Sequence, residues 1–156
     1  MCSSDLGYLG RALSLELTAV QQYMTQASLV DLWGDQASAD RFRSETVEEL
    51  QHAERIVQRM LSLGVAPAAS QLQPSTHAAD LVGLLEQNAE LEQQLVDHYS
   101  EASRFCTLIN DRDNGAFFSA LLEDEQHHSR DLEAWLTELG GRRNPGYRRY
   151  GGRASF

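Results

Sequence analysis

Hydrophobic residues recur at three- and four-residue steps over four long stretches of this chain, the spacing of one buried face on an α-helix. Leu6, Leu9, Leu13, Val20, Tyr23 and Ala27 carry the first stripe, over a helix predicted at about 6–33. Gly34 and Asp35 interrupt it. Phe42, Ile56, Met60 and Leu63 carry the second stripe, over about 36–63, and Gly64 follows as a stop. The third runs over about 80–110 on Leu81, Leu85, Leu95, Tyr99 and Ala102. After a turn cluster at 111–115, the fourth covers about 116–139 on Phe118, Leu122, Leu132 and Leu136.

The connections set the topology. Tight turns join the first helix to the second and the third to the fourth, so each pair is an antiparallel hairpin. Residues 64–79 are polar and aperiodic, and they hold two of the three prolines. A helix of 28 residues is roughly 42 Å long, and some 15 extended residues reach about 50 Å. The middle link therefore spans the bundle and starts the third helix parallel to the second. The fold class is all-α: a four-helix bundle with one long crossover, at 1–139, followed by a tail at 140–156 that is expected to be irregular.

Several positions on the apolar stripes are not apolar. Glu16, Glu49, His52, Glu92, Glu125 and His128 fall on the inward faces, where a charge is costly unless it is paired or bound to metal. Glu49-Leu-Gln-His52 and Glu125-Gln-His-His128 are both Glu-x-x-His, which puts a carboxylate and an imidazole on one helix face. Glu16 precedes Glu49 by 33 residues, and Glu92 precedes Glu125 by 33. One Glu-x-x-His is common on helix surfaces. The doubled arrangement gives four carboxylates and two imidazoles in matching halves, the set with which a bundle core holds two iron or manganese ions. A structural zinc site would recruit cysteine instead.

Charge and cysteine content narrow the setting. Residues 1–139 hold all 23 acidic residues and eight of the thirteen arginines; residues 140–156 hold five arginines and no acid. The acidic body favours cations over nucleic acid. Cys2 and Cys106 form no disulfide framework, no stretch has the length of apolar residues that spans a bilayer, and no secretory signal is read at the N-terminus. The expected location is cytoplasmic.

The stretches Leu15–Tyr23, Glu48–Arg55 and Leu121–His128 resemble the bacterioferritins over residues 6–139. The resemblance implies a ferroxidase centre in which Glu16 and His52 complete one metal and Glu92 and His128 the other, with Glu49 and Glu125 bridging. It implies two iron ions per subunit, with manganese as the other candidate. Tyr23 stands where the family has a tyrosine able to supply an electron; a core tyrosine satisfied by a hydrogen bond explains it equally. Leu50 replaces the family's haem-ligand methionine, so haem is not expected unless a haem-binding partner subunit contributes to a mixed assembly. Ser44 replaces a histidine of the inner-surface iron site, whereas Glu48 keeps its acid. The tail lacks the apolar pore helix of the family, yet a homo-oligomer, with a 24-subunit cage as the reference, is implied.

The expected activity is oxidation of Fe²⁺ by O₂ or H₂O₂, with storage of the product as mineral. A di-iron or di-manganese peroxidase, catalase or oxygenase is the alternative, and a non-catalytic cage subunit a third. Asn88 and Asp124 are expected to orient Glu92 and His128. His127 is expected to face solvent, His77 and His98 to be incidental, and Trp33, Trp135, Met24 and Met60 to serve packing.

Overall fold

A computed structural model of the chain describes residues 3–140. It contains α1 (Ser3–Leu32), α2 (Gln36–Ser62), α3 (Leu81–Leu108) and α4 (Arg112–Glu138), all long helices, and no strand among the described residues. Helix α1 packs along α2, α3 packs along α4, and the hairpins meet through α1 and α3. This is the four-helix all-α bundle the periodicity predicts. The tail at 141–156 lies outside the described residues.

The helix ends follow from capping chemistry. Asp35, Asp80 and Asp111 each stand just before a helix and accept a hydrogen bond from the backbone N–H three residues on, at 3.0, 2.8 and 3.1 Å. Such a cap satisfies one of the N–H groups that a helix start leaves without a partner. The third of these moves a boundary. Asp111 caps a helix that begins at Arg112, not near 116, so the polar cluster Asp111–Gly115 is mostly first turn. Asn114 inside it also bonds Asp111 through its own amide at 2.8 Å and receives Arg59 at 2.7 Å. Before that cap, α3 ends at Leu108, and Asn110 just beyond it adopts a φ of 59°. Asn tolerates this left-handed conformation better than most residues, and here it plays the part that Gly64 plays after α2.

Residues 63–80 run back along the bundle against α1. Ser14, Thr18 and Gln22, one helical turn apart, receive the backbone N–H of Gln71 (3.1 Å), the backbone N–H of Gln73 (3.2 Å) and the hydroxyl of Thr76 (3.2 Å) in order. A polar edge on α1 therefore laces an aperiodic segment in place. Gln22 reaches inward as well: its amide donates to Asn88 at 2.7 Å, and Asn88 donates to Gln26 at 2.6 Å. Asn88 thus spends its amide on tying α3 to α1 and makes no hydrogen bond to Glu92, contrary to the sequence expectation.

Two packing expectations fail and two hold. Met24 on α1 and Trp33 just past its end are half-exposed, turned away from the core. Met60 and Trp135 are buried, Trp135 beneath the guanidinium of Arg41 at 3.7 Å. His98 is not incidental. It is buried, and its Nε2 lies 2.9 Å from the carbonyl oxygen of Tyr8. His127 faces solvent.

Candidate metal centre

All six sequence-selected ligands converge in the middle of the bundle. Glu16 comes from α1, Glu49 and His52 from α2, Glu92 from α3, and Glu125 and His128 from α4. The four carboxylates have no solvent exposure and the two imidazoles have less than a tenth. Two groups of donor atoms form, each with all atoms within 4.8 Å of one another: Glu16, Glu49, His52 and Glu125, and Glu49, Glu92, Glu125 and His128. Glu49 and Glu125 belong to both.

Each imidazole turns Nδ1 to the centre and Nε2 outward. His52 Nδ1 lies 2.8 Å from Glu125 Oε1 and 3.3 Å from Glu49 Oε2, close but without hydrogen-bond alignment. His128 Nδ1 lies 2.9 Å from Glu49 Oε1 and 3.4 Å from Glu125 Oε2. Outward, His128 Nε2 meets Glu48 at 2.7 Å and His52 Nε2 meets Asp124 at 3.5 Å. An acid on the far nitrogen fixes a ligating imidazole's tautomer and raises its basicity. Asp124 therefore serves His52, not the His128 of its own helix, and is itself held by Arg55 at 2.7 Å. The two rings stack at 5.5 Å.

Glu92 and Glu16 each take a phenol. Tyr23 donates to Glu92 Oε1 at 2.6 Å, and Tyr99 donates to Glu16 Oε1. Tyr23 thus bonds across to α3, not to Glu16 on its own helix. Sequence reading passed over Tyr99, although a signal was present. Tyr23 follows Glu16 by seven residues and Tyr99 follows Glu92 by seven, so the doubling that pairs the ligands also pairs the tyrosines. Glu48 and Asp124 repeat at the same interval, 76 residues, as do Phe42 and Phe118.

Burial dominates the electrostatics. It pushes Glu16 up to about 8, with repulsion from Glu49 adding to it. It holds Glu92 well above the usual carboxylate range, again with Glu49 and Glu125 contributing. Burial opposes a charge on His52, but close contacts with Glu125, Glu16 and Glu49 outweigh it and push the imidazole up to about 12. His128 is raised too, by Glu125 and Glu49 against the same opposition.

The donor set fits divalent first-row metal ions. Glu16 Oε2, Glu49 Oε2, Glu92 Oε2 and both oxygens of Glu125 are buried with no hydrogen-bond partner. Buried polar atoms are nearly always satisfied, so this many orphaned oxygens facing one another calls for positive charge between them. Carboxylate and imidazole donors suit iron and manganese. Nearby, Glu45 is buried enough to be pushed up to about 7, and it lies with Glu48 beside His128, a neighbour that sequence reading did not select.

Residues 6–141 match the family model of the ferritin-like domain. Bacterioferritin of Rhodobacter capsulatus is 32% identical over 130 residues, which cover 83% of this chain and 81% of that protein. Bacterioferritin of Brucella melitensis biotype 1 is 31% identical over 143 residues, covering 92% and 87%. A solved structure of the Rhodobacter capsulatus bacterioferritin, with a metal-free dinuclear site and a haem iron, superposes with a TM-score of 0.86 at 29% identity, over 90% of this chain and 88% of that one.

Proposed function

We infer the function from membership: this chain belongs to the ferritin-like domain family, among the bacterioferritins, and we propose that it oxidises Fe²⁺ to Fe³⁺ and stores the product in an oligomeric cage. The observation that carries the proposal is the pair of four-residue donor sets sharing Glu49 and Glu125. Iron is the substrate. Glu16 and His52 hold one ion, Glu92 and His128 the other, and the two shared carboxylates bridge them.

The chain supplies three things. Four anionic oxygen ligands favour Fe³⁺ over Fe²⁺, because a hard trivalent ion gains more from each carboxylate. Glu48 and Asp124 keep the imidazoles turned inward as ligands. Tyr23 gives an electron to the centre and its proton to Glu92, a reading supported by the hydrogen bond between the two. Dioxygen or peroxide is the oxidant. Leu50, on the outer face of α2 and half-exposed, offers no donor to a haem iron, so we assign haem only to a mixed assembly in which a partner subunit brings the ligand. Ser44 likewise offers a weak ligand for an inner-surface iron. No helix among the described residues is long and apolar enough to cross a membrane; we assign the protein to the cytoplasm.

Adding Fe²⁺ in air and following the near-ultraviolet absorbance of ferric carboxylates tests the activity. Uptake should continue to hundreds of irons per assembly. Saturation at two ions per subunit marks a di-metal peroxidase, catalase or oxygenase instead, and no oxidation at all marks a non-catalytic subunit.

A further inference from the structure

We propose that Tyr99 is the inner end of an electron relay that runs through Phe118 and His98 to Tyr8 at the protein surface. The inference rests on the ferroxidase reading of the centre and adds a route by which oxidising equivalents leave it.

The geometry is continuous. Tyr99 is fully buried, and its hydroxyl donates to Glu16, a terminal ligand of the centre. Its ring lies 6.4 Å from that of Phe118, and Phe118 lies 6.3 Å from Tyr8, centroid to centroid. His98 forms a parallel bridge, 5.8 Å from Tyr99 and 5.6 Å from Tyr8, and is fixed by its contact with the Tyr8 carbonyl. All four separations fall in the range of directly packed aromatic pairs. Tyr8 is partly exposed, and its hydroxyl donates to Glu101 at 3.3 Å on the outside of the bundle. Each phenol in the path thus has a carboxylate to take its proton.

That pairing matters because a tyrosine loses an electron readily only when its proton can leave at the same time. Tyr99 gives one electron to dioxygen at the centre and its proton to Glu16, becoming a neutral phenoxyl radical. Tyr8 then gives one electron along the ring path, and Tyr99 takes its proton back from Glu16. The Tyr8 proton passes to Glu101, and the radical stands at the surface. Each step moves one electron and one proton. Two Fe²⁺ supply two of the four electrons that convert dioxygen to water, and the phenols supply further single electrons. Tyr23 cannot serve this exit: its ring leads through Phe42 at 6.1 Å to Trp135, on a different face.

Trapping the radical tests the relay. The assembled protein is loaded with two Fe²⁺ per subunit, exposed to dioxygen with a nitroso spin trap, and digested for mass spectrometry, with iron oxidation followed in the same samples. Tyr8 should be labelled in the wild type and in Tyr23→Phe. In Tyr99→Phe, and in the double variant Phe118→Leu/His98→Leu, which removes both bridging rings and leaves the Tyr99–Glu16 bond alone, Tyr8 labelling should fall at least tenfold while iron is still oxidised. Unchanged Tyr8 labelling in Tyr99→Phe overturns the relay. Wild type that oxidises no iron overturns the ferroxidase reading instead. A freeze-quenched radical spectrum that Tyr8→Phe leaves on Tyr99 confirms the order of the two phenols; loss of the Tyr99 signal in that variant reverses the order and refutes an outward flow of oxidising equivalents.

Discussion

Metal binding at this centre should release about four protons per subunit, and the release can be worked from the structure. Metal ligands must be deprotonated. Burial raises Glu16 to about 8 and holds Glu92 well above its ordinary range, and close carboxylates raise His52 and His128, so each of the four holds its proton more tightly than an isolated group does. Four protons carry the same charge as two divalent cations, so the exchange leaves the dry interior electrically unchanged. One pH unit then changes the combined affinity for two ions by about four factors of ten, or about 5 kcal/mol, shared as roughly 100-fold per ion. Titration calorimetry with Co²⁺, which does not oxidise under the conditions, in two buffers of different ionisation heat gives the proton count directly. Glu92→Gln, which has no proton to lose at that position, should lower the count by one. A release of one proton or none, at pH 6.5, refutes the electrostatic account of the centre.

Two further outcomes follow from the same geometry. Glu49→Ala should weaken both ions, because Glu49 belongs to both donor sets, whereas Glu92→Ala should leave one ion per subunit bound; Co²⁺ stoichiometry by equilibrium dialysis distinguishes them, and equal losses in the two variants count against the shared role. Metal-free protein should melt lower at pH 9 than at pH 5.5. Glu16, Glu92 and Glu45 bind protons more tightly folded than unfolded, so their contribution is complete below pH about 4.5 and is lost as pH rises through about 7 for Glu45 and about 8 for Glu16. His52 and His128 act in the same direction, their contribution fading above about 6.5. Thermal scans in a chelator check the sign; a melting temperature that rises with pH is the contrary result.

The bundle and its six inward carboxylates and imidazoles were legible because both are one-dimensional patterns. A helix face is written at three- and four-residue spacing, and Glu-x-x-His places two donors on that face without help from any other segment. The partners of those ligands were not legible, since they depend on how one helix is rotated and shifted against the next. Tyr23 reaches Glu92, Tyr99 reaches Glu16, Glu48 reaches His128 and Asp124 reaches His52, each across a helix boundary. Asn88 was misassigned for the same reason: its position one turn from Glu92 is local, but the amides that claim it belong to α1. His98 has no motif around it, and its place comes from the approach of Tyr8, through both its carbonyl and its ring. At the start of α4, a string of polar residues reads as a loop until the capping oxygen of Asp111 is counted.

The crossed phenol bonds bear on what either hairpin is when separated from the other. One hairpin holds three of the four donors around each ion and must borrow the fourth, Glu125 or Glu49, from its counterpart. Severing the chain within 63–80 leaves two fragments with no complete nest for an ion in either, yet with interlocking halves of two. Cations would then act as the rivets of a two-piece joint, and reassembly of the cut protein would depend on their concentration squared.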